Sequence, residues 1–278
     1  MKRLNLGCGS RVHADWINVD FVAAGPGVQS YDLRKGVPFP DECFDVVYHS
    51  HVLEHFQRPA AAGFLRECHR VLKSGGILRV AVPDLEQIAG EYLEALKNAS
   101  NGLRGWDENY DWMVLELYDQ TIRERSCGQL IEYFQRDPIP NWDFIYKRWG
   151  IQAEILRENL KPKPTDAALQ RNSPGIAWGY LFRHPVTVLR NKLIKALLGS
   201  EDWEALQAAK FRKQGEIHFW MYDTYSLGKL LQTTGFSDVR RCTANQSFIP
   251  GWTRFNLDTE PDGTVYKPDS LYLEARKS

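Results

Sequence analysis

The stretch Leu4-Asn5-Leu6-Gly7-Cys8-Gly9-Ser10 decides the reading of this chain. A short apolar run ends in two glycines one residue apart. It reads as a buried strand that turns sharply at its carboxyl end, where a backbone without Cβ atoms lets a ligand come close. Outward from it, Ile17-Asn18-Val19-Asp20 is a second strand that ends on a carboxylate, and Val28 to Leu33 is a third that carries Asp32 near its end. Phe44 to His49 is β-branched and aromatic and reads as a fourth, buried strand. Ala61 to Leu72 is a helix with Phe64, Leu65, Cys68, Val71 and Leu72 at spacings of three and four, stopped by Lys73 and Gly75-Gly76. Ile77 to Val82 is a fifth strand closed by Pro83. Strands alternating with crossovers predict an α/β fold, a doubly wound, Rossmann-like and mostly parallel sheet. Only Gly7 to Trp16 joins the first two strands, close to the minimum for a parallel crossover, so the helix there must be very short.

The pattern changes after residue 84. Leu85, Ile88, Ala89, Tyr92, Leu93 and Leu96 share one helical face, and Trp112 to Arg125 is a second helix. Asn141 is placed to cap a third helix running from Trp142 towards Leu160. Lys161 to Gly175 reads as an exposed loop, and Pro185 to Leu198 and Trp203 to Phe211 as further helices. The alternating pattern then returns, with a helix over Tyr225 to Thr234 and strands over Asp238 to Arg241 and Leu271 to Ala275. This divides the chain into a core (1–84 and 216–278) and a large helical insertion (85–215) that forms a cap.

Composition narrows the function. Among 278 residues, 35 are Lys or Arg and 35 are Asp or Glu. A broad basic face for a phosphate backbone is disfavoured, and with it nucleic acid as a partner. No run reaches the ~18 apolar residues of a membrane span, and no secretory leader is read at the start. The five cysteines are scattered and contain no CxxC, which argues for reduced thiols in the cytoplasm rather than a disulfide framework or a zinc site. Oligomeric state is not readable.

The glycine turn lacks the third glycine of the dinucleotide fingerprint, since Val12 stands there, and this counts against a nicotinamide enzyme. Asp20, at a strand end, is placed to accept both hydroxyls of a ribose. Asp32 and Leu33 together suit an adenine, one taking the exocyclic amine and the other packing the ring. All of these come from carboxyl ends of neighbouring strands, where open α/β sheets bind ligands.

These blocks resemble the class I S-adenosylmethionine-dependent methyltransferases, in particular the bacterial type 11 proteins. The resemblance is carried by Leu4 to Ser10, Trp16 to Asp20, Asp32-Leu33, Phe44 to Tyr48, His51-Val52-Leu53-Glu54-His55 and Arg70 to Gly76. Near the chain's end it continues in Leu230 to Phe236. It implies S-adenosylmethionine as cofactor, with Asn5, Gly7, Cys8 and Gly9 beside its methionine part. Asp20 would hold the ribose, Asp32 and Leu33 would read the adenine, and His49 to His51 would border the sulfonium. Two departures stand out: the family often carries an acid where Asn5 sits, and a third glycine after Gly9.

A base beside the acceptor is expected to be His218, with His49 and His51 as the other candidates. Packed or capping histidines are the alternative. Glu116, Asp119, Gln120 and Arg123 share a helical face and form either a polar wall for a hydroxyl-rich acceptor or a solvated face with an Asp119–Arg123 pair. Trp220 and Tyr222 are aromatic plates for a sugar ring or members of a hydrophobic hinge. No metal is expected, because the spacing of His49, His51, Glu54 and His55 gives no helical i, i+4 ligand pair. Val186, Leu189, Leu193 and Leu197 make a stripe flanked by Arg183, Arg190, Lys192 and Lys195. The favoured reading buries it in the cap; contact with an anionic bilayer is the less favoured one. The function expected is O-methylation of a saccharide or other polar metabolite, the acceptor being a small molecule or glycan. A nucleic-acid methyltransferase and a non-catalytic cofactor-binding scaffold are the rivals.

Overall fold

The computed structural model describes residues 1–23, 25–160, 185–213 and 215–278. The segment Lys161 to Gly175, Arg183 and the side chain of Leu189, all read above, lie outside the described residues.

Seven strands form one sheet in the order β3-β2-β1-β4-β5-β7-β6. They are β1 (Arg3–Leu6), β2 (Ile17–Asp20), β3 (Val28–Ser30), β4 (Phe44–Ser50), β5 (Leu72–Pro83), β6 (Phe236–Cys242) and β7 (Ser270–Lys277). Neighbours among the first five are parallel, while β7 runs antiparallel to both β5 and β6. The strand order reverses between β1 and β4, where Leu6 pairs with Val19 on one side and His49 on the other. A crevice opens at such a reversal because the connections leave in opposite directions.

The period-two alternation of the strands sends two sets of side chains to two different coverings. Leu4, Leu6, Val47, Leu78, Val80, Val82 and Leu273 pack under α1 (Arg58–Val71) and the helix Thr224–Thr233, through Phe64, Leu65, Cys68, Leu227 and Leu231. On the opposite face Val46, Tyr48 and Ile77 meet Trp16, Ile249, Trp252, Phe255 and Leu257. Apart from Trp16, which precedes β2, that covering comes from the long connection between β6 and β7, which contains one 3-10 turn, Trp252–Phe255. The expected short helix between β1 and β2 is not formed: Gly7 to Trp16 is turn and coil, too short to build a helix and still return to the parallel strand. The third strand is also shorter than expected. It stops at Ser30, and Leu33–Lys35 is a 3-10 turn capped by Asp32.

The helical insertion has its own core. Its elements are α2 (Leu85–Ser100), α3 (Trp106–Ile122), α4 (Leu130–Phe134), α5 (Trp142–Trp149), α6 (Ile151–Leu160) and α7 (Pro185–Lys213); the helix Thr224–Thr233 becomes α8. Ile88, Ala95, Trp112, Met113, Tyr133, Phe134, Ile145 and Trp149 form this second cluster. The two ends of the insertion are stitched together, since Leu85 N–H donates to Tyr222 C=O and Asp84 bridges Tyr222. Several expectations are corrected here. Ile88 is buried as expected, but Leu93 and Leu96 are exposed, and Ala95 is the other residue that α2 buries. The helix from Trp142 breaks at Gly150, where φ is 58°. Asn141 does not cap it with its side chain, which instead accepts from Tyr133 O–H and donates to Glu108 C=O. The stripe on α7 is not buried among the described residues: Val186, Leu193 and Leu197 are exposed, Leu197 to 76%. Gly199, with φ 81°, interrupts α7 between its two halves. No helix among the described residues is long and apolar enough to cross a membrane.

Candidate functional site

Two cavities adjoin at the reversal between β1 and β4. One, of about 240 Å³, is lined by Gly7, Asp20, Leu33, His51, His55 and Gly215 among others. The second, of about 230 Å³, is lined by Asn5, Gly7, Cys8, Gly9, His51 and Lys267 among others. Gly7 and His51 belong to both. Gly7 sits at φ 64°, and a Cβ there would lie 2.2 Å from Val52 Cγ2, so no other residue fits. Gly9 has φ 51° and faces open space, which leaves its backbone free to approach a ligand.

Asp20 accepts from Gly9 N–H at 2.7 Å and from Val22 N–H at 3.2 Å. The carboxylate that closes the glycine turn therefore also borders the first cavity. Leu33 reaches that cavity as well. Asp32 is more committed than expected. Arg34 donates to it through Nε at 2.8 Å and Nη2 at 3.0 Å, and these bonds hold its carboxyl below the usual range. An adenine amine would have to share those oxygens. Asn5 lies buried, its Nδ2 donating to Arg11 C=O and Asn18 Oδ1, so it fixes the loop that follows the turn. Cys8 is buried too, and burial raises its thiol to about 11, which makes it inert at neutral pH.

The three histidine candidates separate. His49 is fully buried, its ring edge-on to Phe64 at 5.1 Å, and both ring nitrogens lack a hydrogen bond. It lines neither cavity, and burial lowers it to about 4. It is a core residue under α1. His218 also lines neither cavity; it lies against His55, with ring centroids 4.9 Å apart, and burial lowers it to about 3. Its backbone N–H donates to Gln120 C=O of α3 at 2.8 Å, which ties this stretch to the insertion. Of these three, His51 alone reaches the crevice, beside His55. Its backbone is held at φ 54°, a costly conformation for a non-glycine residue, fixed by its N–H donating to Ala81 C=O at 2.9 Å.

His51 Nδ1 lies 3.2 Å from Glu54 Oε1, and its Nε2 lies 2.9 Å from Ser270 Oγ. Glu54 is completely buried. Burial pushes its carboxyl up, but the His51 ring 3.2 Å away and the nearby His55 and His218 outweigh this and keep it ionised, although neither carboxylate oxygen has a well-aligned hydrogen bond. Glu54, His55 and His218 each present a potential metal-ligating atom within 4.8 Å of the others. No spacing rule within residues 49–55 could reveal this, because His218 arrives from the far end of the insertion. Glu54 already faces His51, and the group is organised around that one carboxylate.

The expected acceptor residues are largely structural. Glu116 does not form a polar wall; it is buried and paired with buried Arg148, and accepts from Trp112 Nε1 at 3.0 Å. Asp119 accepts from Gln129 N–H and makes no pair with Arg123. Arg123 instead reaches Glu216, with Nη1 3.7 Å from Oε1. These polar groups face inward because α3 lies in the middle of the insertion. Tyr222 is buried and cannot stack on a ligand, whereas Trp220 is 39% exposed and carries the Arg58 guanidinium 4.7 Å from its ring.

Glu54, Ser270 and Lys267 went unread in the sequence as functional residues. Glu54 stood inside a quoted block without a chemical role. Ser270 and Lys267 reach the site because β7 is antiparallel, so that its start lies at the carboxyl edge of the parallel strands.

The strand order and the crevice at its reversal are those of a Rossmann-like α/β domain of the class I methyltransferase type. Residues 21–80 match the family model described as a methyltransferase domain. That match covers less than a quarter of the chain, and it agrees with the strand order in making this segment similar to S-adenosylmethionine-dependent methyltransferase domains. No curated protein matches it. Among solved structures, it is similar to the cyclase SpnF, with 21% identity over 29% of this chain and only 38% of that one, at a TM-score of 0.25. It is also similar to YcgJ from Bacillus subtilis, with 19% identity over 35% and 51% of the two chains, at a TM-score of 0.25. A third likeness is an S-adenosylmethionine-dependent methyltransferase from Archaeoglobus fulgidus, with 13% identity over 99% and 86%, at a TM-score of 0.37.

Proposed function

We propose that this chain transfers a methyl group from S-adenosylmethionine to an oxygen of a saccharide or other polar metabolite, with His51 as general base. The observation that carries this reading is the placement of His51 between the two cavities, backed by the buried carboxylate of Glu54. Gly7 and Gly9 admit the cofactor's aminoacyl end, and Asp20 and Leu33 flank its nucleoside. The bound cofactor supplies a methyl on an already activated leaving group, so the protein's task is alignment of the acceptor. With its proton on Nδ1, 3.2 Å from Glu54 Oε1, His51 carries the free lone pair on Nε2. It accepts from Ser270 O–H until an acceptor hydroxyl takes that place and gives up its proton there. Glu54 stabilises the imidazolium that forms. Trp220, exposed where the insertion rejoins the core, supports a sugar-like acceptor.

Two measurements test this. Labelled methyl from the cofactor should enter one fraction of a host extract separated into glycans, lipids, small molecules and RNA. Incorporation into RNA alone would favour the nucleic-acid reading, and cofactor binding without incorporation in any fraction would favour a scaffold. Separately, Asp20→Ala should weaken S-adenosylhomocysteine binding by roughly ten- to hundredfold, the loss of a charge-assisted hydrogen bond worth about 1.5–3 kcal/mol. Unchanged affinity by calorimetry would remove Asp20 from the ribose site.

A further inference from the structure

The cavity floored by Gly7 and Gly9 has no carboxylate in its lining, but it holds two cations, Arg11 and Lys267. Arg11 is committed. It pairs with Glu260 at 2.8 Å, donates to Thr259 C=O, and lies over the Tyr266 ring at 4.3 Å. Lys267 is not committed. Among the described residues its ammonium makes no hydrogen bond or ion pair, while its backbone is fixed by Tyr272 O–H and Ser270 N–H donating to its carbonyl. The carboxylates that act on it from a distance are Asp269, Glu54 and Asp258. Of these, Asp258 is engaged by Arg79 and Tyr48, and Glu54 by His51. The lysine side chain is partly exposed to the cavity, and burial lowers its pKa against the pull of Asp269, a buried carboxyl that burial itself pushes up to about 7.

We propose that Lys267 is the anion-binding residue of this cavity, taking a carboxylate or phosphate oxygen of a bound ligand. An ammonium that lines the cavity with no direct partner among the described residues is free to pair with an anionic oxygen there, and the partly buried setting strengthens that pairing. The inference rests on the methyl-transfer reading only in naming two sources for the anion: the cofactor's own carboxylate, or an acidic group on the acceptor. Asn5 and the glycine turn offer a carboxylate no cation, and His51 is engaged with Glu54, which leaves Lys267 as the available partner.

Calorimetry on the wild-type chain, Lys267→Met and Lys267→Arg separates the sources, with S-adenosylhomocysteine, 5′-methylthioadenosine (which lacks the carboxylate) and inorganic phosphate as probes. If the cofactor's carboxylate is the ligand, Lys267→Met weakens S-adenosylhomocysteine by ~10- to 100-fold, leaves methylthioadenosine unmoved, and Lys267→Arg restores much of the loss. If the anion belongs to the acceptor, S-adenosylhomocysteine is unaffected. Phosphate titrated into the S-adenosylhomocysteine complex then binds wild type but not Lys267→Met. The proposal is overturned if neither probe distinguishes the variants, or if Lys267→Met weakens both nucleosides equally, the mark of a structural role. Should Lys267→Met fail to fold, Lys267→Gln replaces it in the same series. Failure of wild type to bind either nucleoside would sink the methyl-transfer reading, while the phosphate titration into the free protein would still decide the role of Lys267.

Discussion

Arg79→Met is expected to cost about 3–5 kcal/mol of folding stability, because it removes one partner from a buried charge cluster and leaves the others uncompensated. Arg79 is fully buried in β5. Its Nε donates to Asp258 at 2.9 Å, and its Nη1 donates to Glu274 at 2.7 Å and to Gln246 C=O at 3.0 Å. Its Nη2 lies 2.8 Å from Asp258 and donates to Thr243 C=O at 2.9 Å. The guanidinium lies 4.4 Å from the Trp252 ring. Every donor of the fork is used, and most of the partners belong to the segment that covers the second face of the sheet. Lysine keeps the charge but not the planar five-donor geometry, so Arg79→Lys should fall between wild type and Arg79→Met. Denaturant midpoints measure the ranking, and limited proteolysis should show new cleavage within residues 243–269 in Arg79→Met. A midpoint equal to wild type would mean that the cluster does not hold this face closed.

That cluster also marks where the sequence was hard to read. Ile77 to Val82 reads as an apolar strand, and its Arg79 looks like the solvent-side exception. Nothing local says that Asp258 and Glu274 wait opposite it, since Glu274 arrives through pairing with β7 and Asp258 from the irregular segment before that strand. The parallel part of the sheet was legible because Leu4-Asn5-Leu6, Ile17 to Asp20 and Phe44 to His49 are short, nearly continuously buried runs with turn residues at their ends. The covering by residues 243–269 was not legible, because an irregular segment has no period to detect. The same limit applies at the site. Gly7, Gly9, Asp20 and Leu33 follow one another at strand ends and could be placed by rule. His51 and His218 are equal as isolated histidines, and only the fold shows one at the crevice and the other sealed beneath the insertion. Glu116, Asp119 and Arg123 share a helical face as expected. Whether such a face meets solvent, ligand or protein depends on what packs against α3, and here Arg148 from α5 meets Glu116.

His51→Ala should lower the methyl-transfer rate by ~100- to 10,000-fold, the range for a positioned general base, while S-adenosylhomocysteine affinity is retained. The assay is single-turnover transfer of labelled methyl in the extract fraction that accepts it. His51→Ala should spare the nucleoside end of the site, because Asp20 and Leu33 come from separate strand ends. The pH profile supplies a second readout. Burial, aided by Lys267, lowers His51 to about 4, against the opposing pull of Glu54. The active form of a base is the unprotonated one. The rate is therefore expected to be level through the neutral range and to fall only as pH drops towards about 4, where the imidazole becomes protonated. Glu54→Gln removes the carboxylate that favours the imidazolium, so it should slow transfer at neutral pH and move the acid limb lower still, without moving nucleoside affinity. His218→Ala and His49→Ala, which touch neither cavity, should leave the position of that limb unchanged. If the rate survives in His51→Ala, or if the acid limb follows His218 instead, alignment without a base or a base at His218 replaces the present assignment. A wild-type limb near the ordinary histidine value would show that ligand binding rehydrates or re-pairs the ring, and it would shift attention from burial to the Glu54 contact as the source of its basicity.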